Sequence, residues 1–303
     1  MRPKAAVREV SRIRRSRSSV EALLTEKPHV IGSMIGLKSC NGQLTDQVSL
    51  VVFVSQKLPE AALPAEQVIP KRVEIDGVTV QLDVLPYGGM TFQATGPFPA
   101  GSLTTYDGTE YGTMTAFART QFDVYGLTCA HAIEGLDRNA YSPSDVAIWS
   151  PPLKRAILVG RSAIALAGGG AGVPGAFGFS DAALFTLAEA SLRKRALAGG
   201  QIPVAAPKFG ESVYGTATSG AKVGQVVGIE QRVGPELADL VVQVAHPGTF
   251  RGDSGMLWRN AQGQAIGIHA KGDGNGPGVG SGLTAAMSAY RAAAGLQIAF
   301  INP

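Results

Sequence analysis

Ser254 stands in Thr249-Phe250-Arg251-Gly252-Asp253-Ser254-Gly255-Met256-Leu257-Trp258, a stretch in which a serine hydroxyl can become a nucleophile. That chemistry has three requirements. The hydroxyl must project from a tight turn, backbone N–H groups must point where an oxyanion forms, and a base must lie within reach. Gly252 and Gly255 flank the turn, and glycine permits both positive φ and close backbone approach. Taken alone, Gly-Asp-Ser-Gly is also what an ordinary turn looks like in a chain with 39 glycines. The base and the group that orients it must come from elsewhere in the chain.

Gly252-Asp253-Ser254-Gly255 resembles the nucleophile loop of chymotrypsin-like serine peptidases, and two further segments resemble that family in the order it requires. Gly126-Leu127-Thr128-Cys129-Ala130-His131 is similar to the family's Leu-Thr-Ala-Ala-His segment, with Cys129 replacing one alanine. Ser180-Asp181-Ala182-Ala183-Leu184 is similar to its Asp-x-Ala-Leu strand start. The order His, Asp, Ser is that of chymotrypsin, whereas subtilisin and the α/β-hydrolases order the three differently. Intervals of 50 and 73 residues between them suit two successive small barrels. The resemblance spans about residues 105–303. It implies Ser254 as nucleophile, His131 as base, Asp181 as the group orienting the imidazole, and the N–H groups of Gly252 and Ser254 as the oxyanion hole. In animal members the counterpart of Asp253 pairs with a newly cut amino terminus. No such activation site is evident here, and Arg232 or Arg251 is the internal cation expected to replace it.

The same resemblance bears on specificity. Trypsin-like enzymes carry a carboxylate six residues before the serine, where this chain has Gly248, so a basic P1 side chain finds no counter-charge. Ala265-Ile266-Gly267-Ile268-His269-Ala270-Lys271-Gly272 resembles a segment of bacterial glutamyl endopeptidases, which implies His269 and Thr249 as ligands of an acidic P1 side chain. Imidazole can donate from either nitrogen and can carry charge, and Lys271 or Arg251 can add positive potential. The alternatives are an apolar pocket with His269 in its wall, suited to small or apolar P1 residues, and His246 as a further pocket residue. The resemblance implies a protein or peptide substrate and no cofactor or metal. A catalytically inactive protease-fold scaffold is the other reading of the whole chain.

The elements that must hold these groups read as mostly β. The expected architecture is a chymotrypsin-like double β-barrel (96–303) preceded by a small α/β module (18–95) and a basic disordered arm (1–17). Apolar content of 45%, with 18 prolines, fits a folded, turn-rich chain. Residues 1–17 hold seven Arg and Lys against Glu9, a net of +6, so the other 286 residues sum to about −2. The basic pI is therefore a property of the arm. No aromatic residue interleaves with those arginines and no nucleic-acid-binding motif appears, which argues against nucleic acid as a partner.

Within the N-terminal module the spacing predicts a capped helix over 19–24 and strands over 29–37, 48–55 and 78–85. Asn41-Gly42 and Asp76-Gly77 read as hairpin turns. A Pro/Gly-rich linker follows over 86–102. Strands are expected over 112–119, 121–128, 240–245 and 265–269, a strand pair over 215–228, a solvated connection over 191–197 and a closing helix over 283–294. The glycine-rich stretch 168–175 reads as a surface loop. Cys40 and Cys129 are expected as unpaired, buried, hydrophobe-like residues. No signal peptide or long apolar run is visible, so the reading is cytoplasmic with no membrane span.

Overall fold

The computed structural model describes residues 3–40, 42–92, 103–105, 111–134, 145–150, 152–169, 179–234, 236–245, 248–272 and 282–303. These form, in order, α1 (Pro3–Thr25), β1 (Val30–Cys40), β2 (Gln43–Val54), β3 (Arg72–Ile75), β4 (Val78–Pro86), β5 (Thr91–Phe92), β6 (Leu103–Thr105), β7 (Tyr111–Gly112), β8 (Ala116–Arg119), β9 (Val124–Thr128), α2 (His131–Glu134) and β10 (Asp145–Ser150). The chain continues through β11 (Arg155–Gly169), β12 (Phe179–Phe185), α3 (Ala190–Ala198), β13 (Gln201–Ile202), β14 (Ser212–Ala217) and β15 (Gly220–Val233). It ends with β16 (Glu236–Val244), β17 (Leu257–Asn260), β18 (Ala265–Gly272), β19 (Leu283–Ser288), α4 (Ala289–Leu296) and β20 (Ala299–Ile301).

Two sheets divide these strands. The first runs β13-β20-β8-β9-β12-β11-β10-β6-β7 around a core that includes Phe117, Val124, Ile133, Val146 and Phe185. In the second, β14-β17-β18-β19-β16-β15 closes into a ring because β14 also pairs with β15. Trp258, Val213, Val242 and Ile266 fill that ring. The two halves meet along Leu127, Cys129, Leu184, Leu257, Ile268, Ala270 and Met287. This matches the mostly β architecture expected, one closed six-stranded barrel beside a second, nine-stranded sheet, with an α/β region ahead of them. After α4 the chain crosses back, and β20 pairs with β8 of the first sheet.

The N-terminal region is joined to the second barrel by a shared sheet rather than by a spacer. The first half of β15 pairs with β14, whereas Gly228–Val233 pairs with β1, and the sheet continues through β2, β4 and β3. Leu50, Val51, Val52 and Phe53 are all fully buried, as expected of a strand covered on both faces. One face packs under α1, and the other forms a core with Val227, Val241 and Leu283 of the second barrel. Met90, within the segment read as a linker, is buried in that same core.

Several expectations are corrected. Residues 3–17 of the expected disordered arm are instead the first two-thirds or so of one helix running from Pro3 to Thr25. Val10, Ile13, Val20 and Leu24 are all buried, at spacings of three, seven and four residues that form a helical stripe. The interleaved arginines are good helix formers and find partners on the sheet. Arg14 bonds Glu230, while Arg17, buried, bonds Glu21, Ser33 and the Glu230 carbonyl. Burial opposes ionisation of Glu21, but its bond from Ser33 and the charge of Arg17 outweigh this and hold its pKa below the ordinary value. Residues 191–197 lie in helix α3, capped by Glu189 accepting from the Leu192 N–H. The expected closing helix is half strand, because Leu283–Ser288 pairs with both β16 and β18 and tertiary context overrides alanine's helix preference. Both cysteines are unpaired, but Cys40 is exposed at the end of β1 and only Cys129 is buried. The glycine-rich loop beyond Gly169, His246 and most of 86–102 lie outside the described residues. Among the described residues no helix is long and apolar enough to cross a membrane.

Ile13→Ala is expected to cost about 2–5 kcal/mol, because it empties a site with no exposure. Denaturant unfolding should show the loss in the whole-chain transition. A separate early transition of the first 90 residues would contradict the shared sheet.

Candidate active site

His131 opens α2 directly after β9, Asp181 lies on β12, and Ser254 lies in the turn between β16 and β17. Thus the first sheet supplies two of these side chains and the second barrel the third. All three have no exposure. Asp181 Oδ2 lies 2.6 Å from His131 Nδ1, and the His131 backbone N–H donates to Asp181 Oδ1 at 3.1 Å. His131 Nε2 lies 2.9 Å from Ser254 Oγ. The carboxylate therefore fixes the ring by two bonds and favours the tautomer with the proton on Nδ1. That tautomer leaves Nε2 as an acceptor facing the hydroxyl. Ser254 Oγ also lies 3.0 Å from the Ala270 carbonyl, so its proton has two acceptors.

The turn carrying Ser254 is held from both halves of the molecule. Thr113 Oγ1 donates to the Gly252 carbonyl at 2.8 Å and Thr218 Oγ1 to the same oxygen at 3.1 Å. The Thr113 N–H donates to the Ser254 carbonyl at 2.7 Å, and the Gly255 N–H to the His269 carbonyl at 2.8 Å. Gly252 and Gly255 have φ of +94° and +96°. A Cβ on Gly255 would sit 2.0 Å from the Thr113 carbonyl oxygen, so no side chain fits there. With the Gly252 carbonyl fixed on two threonines, its peptide group is held in one orientation.

Asp253 points away from the serine into the second barrel, where it has no exposure. It accepts from the Phe250 N–H at 2.8 Å and from Ser219 Oγ, and Lys222 Nζ lies 3.6 Å away. The Lys222 side chain is 3% exposed, and its ammonium also stands 4.5 Å from the centre of the Phe250 ring. The internal cation is therefore Lys222. Arg232 is instead engaged with Glu21, and Arg251 is exposed. Sequence reasoning passed over Lys222, although strand periodicity places it on the same face of β15 as the inward Gly224 and Val226.

His269 lies on β18 with no exposure, its ring edge-on to Trp258 at 6.2 Å between centres. Burial, aided by His131 and Lys222, pushes its pKa down to about 3. In the site without a substrate carboxylate it is thus a neutral ring at ordinary pH. Thr249 is nearly buried in the loop after Gly248. Lys271 is buried on β18. Cys129, His131 and Asp181 place three potential metal ligands within 4.8 Å of one another. Each already has a hydrogen-bond partner, Cys129 Sγ lying 3.0 Å from the His269 carbonyl.

Residues 5–85 match the family described as the NARROW LEAF 1 N-terminal domain. No curated protein sequence matches the chain. Among solved structures the chain is similar to a glutamic-acid-specific serine protease described as using a histidine triad in substrate binding. That pair shares 15% identity with a TM-score of 0.44, over 67% of this chain and all of the other. Thermobifida fusca protease A is similar at 16% identity and TM-score 0.42, over 68% of this chain and 98% of the other. An α-lytic protease homolog, N4, is similar at 16% identity and TM-score 0.39, over 68% and 99%.

Proposed function

We propose that this chain is a serine endopeptidase. The observation that supports it is the buried hydrogen-bonded series Asp181–His131–Ser254, at 2.6 and 2.9 Å, set where the first sheet meets the second barrel. Ser254 Oγ attacks the scissile carbonyl carbon while His131 Nε2 takes its proton. Asp181 then stabilises the imidazolium, as in the general scheme for such triads. The N–H groups of Gly252 and Ser254 receive the oxyanion, an interaction for which one donor is commonly worth about 10²–10³ in rate. His131 returns the proton to the leaving amine, and water, activated by the same imidazole, hydrolyses the acyl-enzyme. Incubation with a peptide library tests the reading. Cleavage by the wild type and none by His131→Ala is the expected result, and equal cleavage by both would contradict it.

For specificity we propose an acidic P1 residue, with His269 and Thr249 donating hydrogen bonds to its carboxylate. The neutral state of His269 refines this reading. The ring contributes a directed donor, and Lys222, the buried cation whose charge acts on it, is already paired with Asp253. A small or apolar P1 residue is the alternative, favoured by the edge-on Trp258 ring. P1 profiling decides between them. Preference for Glu over Leu should fall by about tenfold or more in His269→Ala, the loss of a buried hydrogen bond to a charged group. Because a group with pKa near 3 does not titrate between about pH 5 and 8, the Glu-to-Gln ratio should stay flat there. A ratio that drops as pH rises through about 6.5 would show a charged imidazole instead.

A further inference from the structure

Strand β18 has two edges, and they are used differently. One edge is taken by β19 from Gly267 to Gly272. On the other, β17 pairs only as far as Ile268, opposite Leu257. At His269 the chain just ahead of β17 still holds this edge, through the Met256 carbonyl and the Gly255 N–H, and it turns away only at Ala270, whose carbonyl accepts from Ser254 Oγ beside the nucleophile. An open sheet edge is a template for an added strand, and main-chain pairing of this kind binds extended peptides irrespective of most side chains. An antiparallel peptide on this edge runs, N to C, from Gly272 toward Ala270. It therefore delivers a main-chain carbonyl toward Ser254.

That position is already taken by the chain itself. β5 pairs antiparallel with β18, Thr91 opposite Gly272 and Phe92 opposite Lys271. Lys271 and Gly272 also face Ala285 and Thr284 of β19, so β5 must occupy the other edge. β5 pairs with no other strand among the described residues. It is tethered close by. Met90 is buried with Met34, Phe53 and Leu283, the Tyr87 ring lies 5.0 Å from that of Phe53, and the Tyr87 hydroxyl accepts from Gln231 Nε2 at 3.1 Å. A two-residue strand in water would not pair stably, but a tether of this length gives it a high effective concentration.

We propose that β5 is an intramolecular occupant of the peptide-binding edge of β18, so that the full chain is self-inhibited and an extended peptide binds only when β5 leaves. The proposal rests on the serine endopeptidase reading for its consequence in rate. Its structural content stands apart from that reading. An occupant with equilibrium constant K raises the apparent KM by a factor of 1 + K and leaves kcat unchanged.

The experiment compares the full-length wild type with Thr91→Pro and Phe92→Pro, since proline removes a ladder donor and disfavours pairing. Amide hydrogen exchange over residues 270–272 reads the strand directly, and KM and kcat for a chromogenic peptide read its consequence. The expected result is faster exchange there and a KM lower by about tenfold at unchanged kcat. A synthetic peptide of residues 86–92 should then inhibit the proline variants competitively, and the wild type far more weakly. Folded variants with unchanged exchange and KM would overturn the proposal. If a proline variant does not fold, the double change Thr91→Gly/Phe92→Gly gives the same readouts through a weakened strand. Faster exchange in variants that cleave nothing would sink the endopeptidase reading while leaving the occupancy of the edge intact.

Discussion

Ser254→Ala is expected to lower kcat for peptide hydrolysis by about 10⁵–10⁶-fold, with stability and fold unchanged. Members of a triad act as one unit, so His131→Ala should cost nearly as much and the double change little more than either. Asp181→Asn should cost about 10⁴-fold, because an amide in that place favours the wrong imidazole tautomer. Here Asp181 holds both the ring Nδ1 and the His131 backbone N–H. The asparagine would therefore keep the ring near its place while reversing which nitrogen carries the proton. Steady-state kinetics on the three single variants and one double variant checks all of this. Additive losses would mean that the three side chains do not work together.

Lys222→Met should have the second largest effect, and it should act on both stability and rate. The change leaves Asp253 as a carboxylate without exposure and without its cation. Removing one partner of a buried pair commonly costs about 3–5 kcal/mol. Asp253 also accepts the Phe250 N–H and thereby braces the turn carrying Gly252 and Ser254. A loosened turn misplaces an oxyanion donor, so kcat should fall by about 10²–10³-fold. Adding Asp253→Asn should restore much of the stability, since it removes the uncompensated charge. Urea unfolding and kcat for the two single variants and the double variant form the test. A Lys222→Met protein as stable and as active as the wild type would show that the pair does not hold the turn.

The three residues of the candidate site were legible because each sits in a short local pattern. Gly-Asp-Ser-Gly, Thr-Cys-Ala-His and Asp-Ala-Ala-Leu declare a turn, a strand end and a strand start without reference to distant partners. Lys222 was not legible in that way, since its partner is 31 positions further along the chain. Only the inward parity of β15 marks it. The N-terminal helix was hidden for a different reason. Its apolar stripe is only one residue wide, and the arginines between dominate any reading by charge. Two of those arginines are anchored on Glu230, at a bend in β15 where φ is +54°. The pairing of β1 with β15, and of β5 with β18, joins segments about 180–200 residues apart. Strand pairing at that range follows from which edges the fold leaves open, which no local window contains.

The most direct test of the endopeptidase account is labelling of the native protein by a serine-directed phosphonate, with the adduct located by mass spectrometry. It should be run on the wild type and on Phe92→Pro, so that slow access to the edge of β18 does not hide a competent serine. The account predicts a single adduct on Ser254, absent from His131→Ala. Folded wild type and folded Phe92→Pro that both remain unlabelled, or an adduct on a different serine, would contradict it.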